Sequence, residues 1–81
     1  METRETANDY QGTITPLDNA NRLILCKDGI QWITQRRKGN RWQATGFYRR
    51  RDVLLSRLRL TMPNMTRQAE DTIAALPALL L

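Results

Sequence analysis

The sequence predicts an α+β domain: a three-stranded antiparallel β-meander with two C-terminal helices packed on one face, in the order β-β-β-α-α. Three observations predict it. Asp28-Gly29 separates two runs of strand composition. Lys38-Gly39-Asn40 separates the second run from a third. After Arg50 the apolar spacing changes from two to that of a helix.

The chain divides into a polar flexible leader over residues 1–21 and a single small α+β domain over 22–81. The leader has few apolar residues and no sustained period, with Ile14 and Leu17 as tacking points. Arg22 to Lys27 is the first strand. Asp-Gly after it signals a two-residue type I′ hairpin, whose two central residues both need positive φ. Ile30 to Arg36 alternates as a second strand, and Arg41 to Tyr48 is the third.

Register follows from the turns. A two-residue turn at Asp28-Gly29 pairs Leu25 with Trp32 and Leu23 with Thr34. A three-residue turn at Lys38-Gly39-Asn40 pairs Arg37 with Arg41 and sets Trp32 opposite Gly46. It gathers Leu23, Leu25, Ile30, Trp32, Trp42, Ala44 and Tyr48 on one apolar face. A two-residue turn there sends Trp42 to the other face and splits the set, so the first register is preferred. The opposite face is polar and basic, with Ile24, Ile33 and Phe47 at its centre.

From Arg50 to Leu60 the period becomes helical: Val53, Leu54, Leu55 and Leu58, with Met62 just beyond, fall at helical spacings. Pro63 bounds this first helix. The second helix starts near 64–66, with Met65, Ala69, Ile73 and Leu76 as its buried stripe. Glu70 and Asp71 lie near its start, where the helix dipole favours negative charge.

Composition excludes several chemistries. The chain has 81 residues, 41% of them hydrophobic, and no histidine. A domain of this size hides only about 60% of its unfolded surface, too little for a deep enclosed pocket. Histidine-based catalysis and a Cys/His zinc site are impossible, and the lone Cys26 cannot form an intramolecular disulfide. Cys26 reads as a small strand residue and not as a nucleophile. There is no glycine-rich phosphate loop and no convincing carboxylate pair. The expectation is a non-enzymatic protein without cofactor or metal. No apolar run reaches the roughly 20 residues of a membrane span, and residues 1–8 lack signal-peptide character. The expected location is the cytoplasm.

Charge is the main functional signal. Residues 1–21 hold Arg4 against Glu2, Glu5, Asp9 and Asp18. Residues 60–81 hold Arg67 against Glu70 and Asp71. Between them, residues 22–59 carry a net +9, with only Asp28 and Asp52 opposing eleven cations. The whole-chain charge of +5 understates how basic the centre is. Guanidinium groups grip phosphate with fork geometry and stay charged at any working pH. The candidate contacts for nucleic acid or an acidic partner are Arg36, Arg37, Lys38, Arg41, Arg49, Arg50, Arg51, Arg57 and Arg59. Phe47 is the candidate exposed aromatic contact, whereas Trp32 and Trp42 are assigned to the core under the helix.

Gly29-Ile-Gln-Trp-Ile-Thr-Gln-Arg-Arg37, then Arg41-Trp42, then Phe47-Tyr-Arg-Arg-Arg-Asp-Val-Leu-Leu55 resembles a pattern in short uncharacterised proteins of proteobacterial phages and mobile elements. The resemblance covers roughly residues 22–60. It implies a small accessory protein of a mobile element. Such proteins include DNA-associated regulators and inhibitors of host defence, anti-CRISPR proteins among them.

Two functions follow as expectations. The first is a basic module that associates with nucleic acid or a nucleoprotein complex. The second is a protein-directed inhibitor or adaptor that docks through its open sheet face or a sheet edge, its arginines matching an acidic patch. Either is expected as a monomer or a weak homodimer through an exposed strand edge.

Overall fold

The computed structural model describes residues 4–80; residues 1–3 of the expected leader and residue 81 lie outside them. The fold is α+β. Strands β1 (Thr13–Pro16), β2 (Asn21–Leu25), β3 (Trp32–Lys38) and β4 (Arg41–Tyr48) precede helices α1 (Arg51–Thr61) and α2 (Arg67–Ala74). The strands form one antiparallel sheet in sequence order.

The sheet has four strands where three were expected. The additional one lies in the segment read as a leader: Thr13-Ile14-Thr15 is a short β-branched run that pairs with β2, with a bulge between Thr13 and Thr15. Much of the segment around it is bonded to the sheet. Leu17 is fully buried, and Tyr10 donates its hydroxyl proton to Leu25 O at 2.8 Å.

The β2–β3 register matches expectation, with Leu25 opposite Trp32 and Leu23 opposite Thr34. Its turn does not. Only Gly29 in that loop has positive φ (71°), so Asp28 does not complete a type I′ pair. Gly29 N donates to Cys26 O, Cys26 N donates to Gln31 O, and the Cys26 sulfur accepts from Ile30 N. Cys26 thereby closes a turn.

The second hairpin also differs. Lys38 pairs with Arg41, so the turn has two residues, and Gly39 at its first central position has a φ of 61°. That is the position where a type II′ turn needs glycine. Arg37 then faces Trp42, which puts Trp42 on the face away from the helices. Register slips once more along the hairpin: Gln35 pairs with Ala44, but Thr34 pairs with Gly46. Thr45 is the extra residue of this bulge. It restores parity, so Tyr48 lies opposite Trp32 on the helix-covered face.

The helices cover that face. Leu17, Leu23, Trp32, Leu54, Leu58, Ala69 and Ile73 form the main core, with Leu25, Tyr48, Met62, Met65 and Leu76 packed around it. Leu54 and Leu58 stand one turn apart on α1, and each buried leucine stabilises the fold by about 1.5–3 kcal/mol. Val53, expected in the same stripe, is 47% exposed, and Ile30 and Ala44 are also exposed. Thr66 caps α2 by accepting from Ala69 N, and Thr66 N donates to Leu17 O, which ties the helix to the end of β1.

The other face is covered by the N-terminal segment. Tyr10, Ile24, Cys26 and Ile33 form a second, smaller buried cluster. Beside it lies Arg22, only 4% exposed, whose guanidinium is over the Trp42 ring at 4.3 Å. Arg22 donates to the carbonyl oxygens of Glu5 (3.0 Å), Ala7 (2.8 Å) and Asn8 (3.2 Å) and to Gln35 Oε1 (2.8 Å). Gln35 Nε2 donates to Glu5 O, and Trp42 Nε1 donates to Asn8 Oδ1. Trp42 leaves the expected core because this polar tie satisfies its indole N–H and stacks its ring.

β4 is an edge strand. Trp42 N donates to Thr6 O near its start. Past its end, Arg50 and Leu79 form an antiparallel bridge. Among the described residues, no strand pairs with its outer edge between Gln43 and Tyr48.

Candidate nucleic-acid interface

The basic residues fall into two groups near opposite ends of β4. Arg49 lies eight positions after Arg41, about 26 Å along a strand. The first group is the tip of the β3–β4 hairpin. Alternation from Thr34 places Arg36 and Lys38 on the helix side, and Lys38 faces Arg41. Arg57 reaches the same region from α1: it lines, with Arg36, a cleft of about 360 Å³ between the sheet and that helix. Arg36, Lys38, Arg41 and Arg57 are exposed, and among the described residues no side-chain hydrogen bond or ion pair engages them. Arg37 points the other way. It lies 5.7 Å from the Trp42 ring centroid and donates Nε to Gly39 O at 3.3 Å.

Asp18 lines the same cleft, and its charge and that of Arg36 act on each other without a close ion pair. Its carboxylate is already engaged. Oδ1 accepts from Ala20 N (2.7 Å), Asn21 N (2.8 Å) and Asn21 Nδ2 (2.9 Å). Burial opposes its ionisation, but these donors outweigh burial and hold the carboxyl below its ordinary value.

The second group, at the strand–helix junction, is largely occupied. Arg50 forms a two-pronged pair with Asp52, Nη2 to Oδ2 at 2.7 Å and Nε to Oδ1 at 3.1 Å. The Arg50 hydrogen bond is the main reason the Asp52 carboxyl is held below its ordinary value. Arg51 Nη1 donates to Leu76 O (2.7 Å) and Ala74 O (3.3 Å), closing off carbonyls at the end of α2. Arg59 grips Glu70 Oε1 through Nη2 (2.8 Å) and Nε (3.1 Å), linking the two helices. Arg49 is exposed; its backbone carbonyl accepts from Leu80 N.

Of the nine basic residues singled out from sequence, four therefore lie around the hairpin tip and α1 with no side-chain partner among the described residues. Arg37 stacks behind them, Arg49 stands apart, and Arg50, Arg51 and Arg59 are engaged internally. Phe47 is 60% exposed on the sheet face away from the helices, apart from the tip cations. The cleft residues Thr34, Thr45, Tyr48 and Thr61 were not singled out as site residues. The one sequence signal for them is Gly46, set in a strand between two side chains that close over it.

No helix among the described residues is long and apolar enough to cross a membrane. Comparison with protein-family models, with curated proteins and with solved structures gives no match to this chain.

Proposed function

We propose that this chain is a non-enzymatic nucleic-acid-binding module whose contact surface is the β3–β4 hairpin tip together with Arg57. One observation carries the reading: Arg36, Lys38, Arg41 and Arg57 are exposed on one side of the molecule and have no side-chain partner among the described residues. Phosphate oxygens would satisfy such donors, and contacts of this kind set affinity without reading sequence. Part of the same proposal is the mobile-element accessory role implied by the resemblance over residues 22–60.

Binding to a labelled oligonucleotide, followed by gel shift at two salt concentrations, tests it. Four phosphate contacts on duplex DNA predict a loss on the order of 10²-fold between about 50 and 200 mM salt. Absence of any shift with DNA or RNA at low salt rejects the proposal.

The open middle of β4 and the exposed Phe47 favour a second reading, a protein-directed inhibitor or adaptor. That reading requires a stoichiometric complex with a host protein that survives nuclease treatment. A complex lost to nuclease supports the first reading instead.

A further inference from the structure

The cleft between the sheet and α1 is shaped by two local irregularities. The bulge at Thr45 brings its hydroxyl to Thr34, whose own hydroxyl lies 2.9 Å away; Thr45 Oγ1 also donates to Thr34 O at 3.1 Å. The missing side chain at Gly46 leaves room for Tyr48 to lie across the strand. A Cβ on Gly46 would stand 2.8 Å from the Tyr48 ring and 3.0 Å from Thr34 Oγ1. Side chains on adjacent strands are thus pulled down onto the sheet, and a hollow of about 360 Å³ remains beneath α1. That volume lies within the range of small-ligand sites.

The lining has a distinct chemistry. Tyr48, Leu58 and Met62 supply ring and apolar surface. Arg36 and Arg57 supply two guanidinium groups that have no side-chain partner among the described residues. Asp18 supplies one carboxylate, already bonded by its own loop. Two cations and one anion leave a net charge of +1. This matches a phosphodiester, which carries one negative charge, better than a dianionic terminal phosphate. A base stacked inside a duplex cannot enter a hollow between a helix and a sheet, whereas an unstacked base can.

We infer that the cleft holds one nucleotide of a single-stranded nucleic acid, its phosphodiester between Arg36 and Arg57 and its base against Tyr48 and Met62. The inference rests on the nucleic-acid reading above and narrows it to unpaired strands. It also separates two roles within the basic surface. Lys38 and Arg41 at the tip add affinity for any nucleic acid, and the cleft supplies preference for a single strand.

Fluorescence anisotropy of the full chain tests this, with a labelled single-stranded oligonucleotide and the duplex of the same sequence as separate probes. Thr61→Trp fills the cleft mouth without removing a charge, and thermal unfolding checks that this variant still folds. Thr61→Trp and Arg57→Gln should each lower the ratio of single-strand to duplex affinity about tenfold, the size expected for losing one stacked base. Lys38→Gln should weaken both probes alike. Unchanged single-strand affinity in folded Thr61→Trp, or equal losses for both probes in Arg57→Gln, overturns the cleft assignment and leaves the wider proposal standing. Failure of the wild type to bind either probe at low salt overturns both. Displacement of the single strand by a nucleoside monophosphate at a lower concentration than by unlabelled oligonucleotide overturns the assignment in favour of a free nucleotide.

Discussion

Arg36-Arg37-Lys38 and Arg49-Arg50-Arg51 look alike in sequence, yet the fold leaves most of the first run open and engages most of the second. At the hairpin tip, no side-chain hydrogen bond or ion pair among the described residues engages Arg36 or Lys38. At the junction, Arg50 meets Asp52, Arg51 meets the last carbonyls of α2, and Arg59 on the following helix meets Glu70. Run length and charge are the same. What differs is the supply of acceptors: a two-residue turn offers few, whereas a helix start and a helix end offer carboxylates and free carbonyls. A basic run therefore becomes part of the fold or part of the surface according to what the chain brings beside it. The buried Arg22 is the extreme case of the first kind.

This contrast predicts a gradient in stability. Arg22→Ala should have the largest effect. It removes the charged donor shared by the carbonyls of Glu5, Ala7 and Asn8, leaves Gln35 Oε1 without its partner and removes the stack on Trp42, at about 3 kcal/mol in urea unfolding. A loss under about 0.5 kcal/mol would mean that the N-terminal segment is not tied down through this side chain. Arg51→Ala should cost about 1–2 kcal/mol, because two carbonyls at the end of α2 lose their donor. The β1–β2 loop should add a smaller, pH-dependent effect. The Asp18 carboxyl sits below its ordinary 3.8, so the ionised form stabilises the fold above that pH. The advantage is lost as pH falls through the lowered value. The stability gap between wild type and Asp18→Asn should accordingly shrink on acidification from pH 7, and a constant gap contradicts the assignment. Smallest of all is Lys38→Gln with Arg41→Gln, expected within about 0.5 kcal/mol of wild type although nucleic-acid affinity falls. Strong destabilisation by that pair would place the tip with the junction.

Much of the fold was legible in local patterns. Leu23, Leu25 and Trp32 share a face as the Asp28-Gly29 register required, and Leu54 and Leu58 on α1 and Ala69 and Ile73 on α2 are buried at helical spacing. The failures trace to events without a local signature. Thr45 enters as a bulge, and one extra residue reverses the parity of every residue before it, so Trp42 was assigned to the wrong face. β1 is only four residues long, and the segment before it is held by Arg22, more than a dozen residues away. The basic residues were found readily, but their partners were not. Glu70 lies eleven positions from Arg59, and the carbonyl of Leu76 lies 25 from Arg51. No spacing rule connects such pairs before the helices are docked.

The fastening of β4 has a consequence for self-assembly. A free sheet border is a template for runaway stacking of copies, and this one is stopped by Thr6 on one side and by the Leu79 bridge on the other. The gap between the stops is about six residues, roughly 20 Å of backbone. An incoming strand must fit that window. Changes that detach either stop lengthen the window and should promote pairing between copies, read as a rise in light scattering with protein concentration.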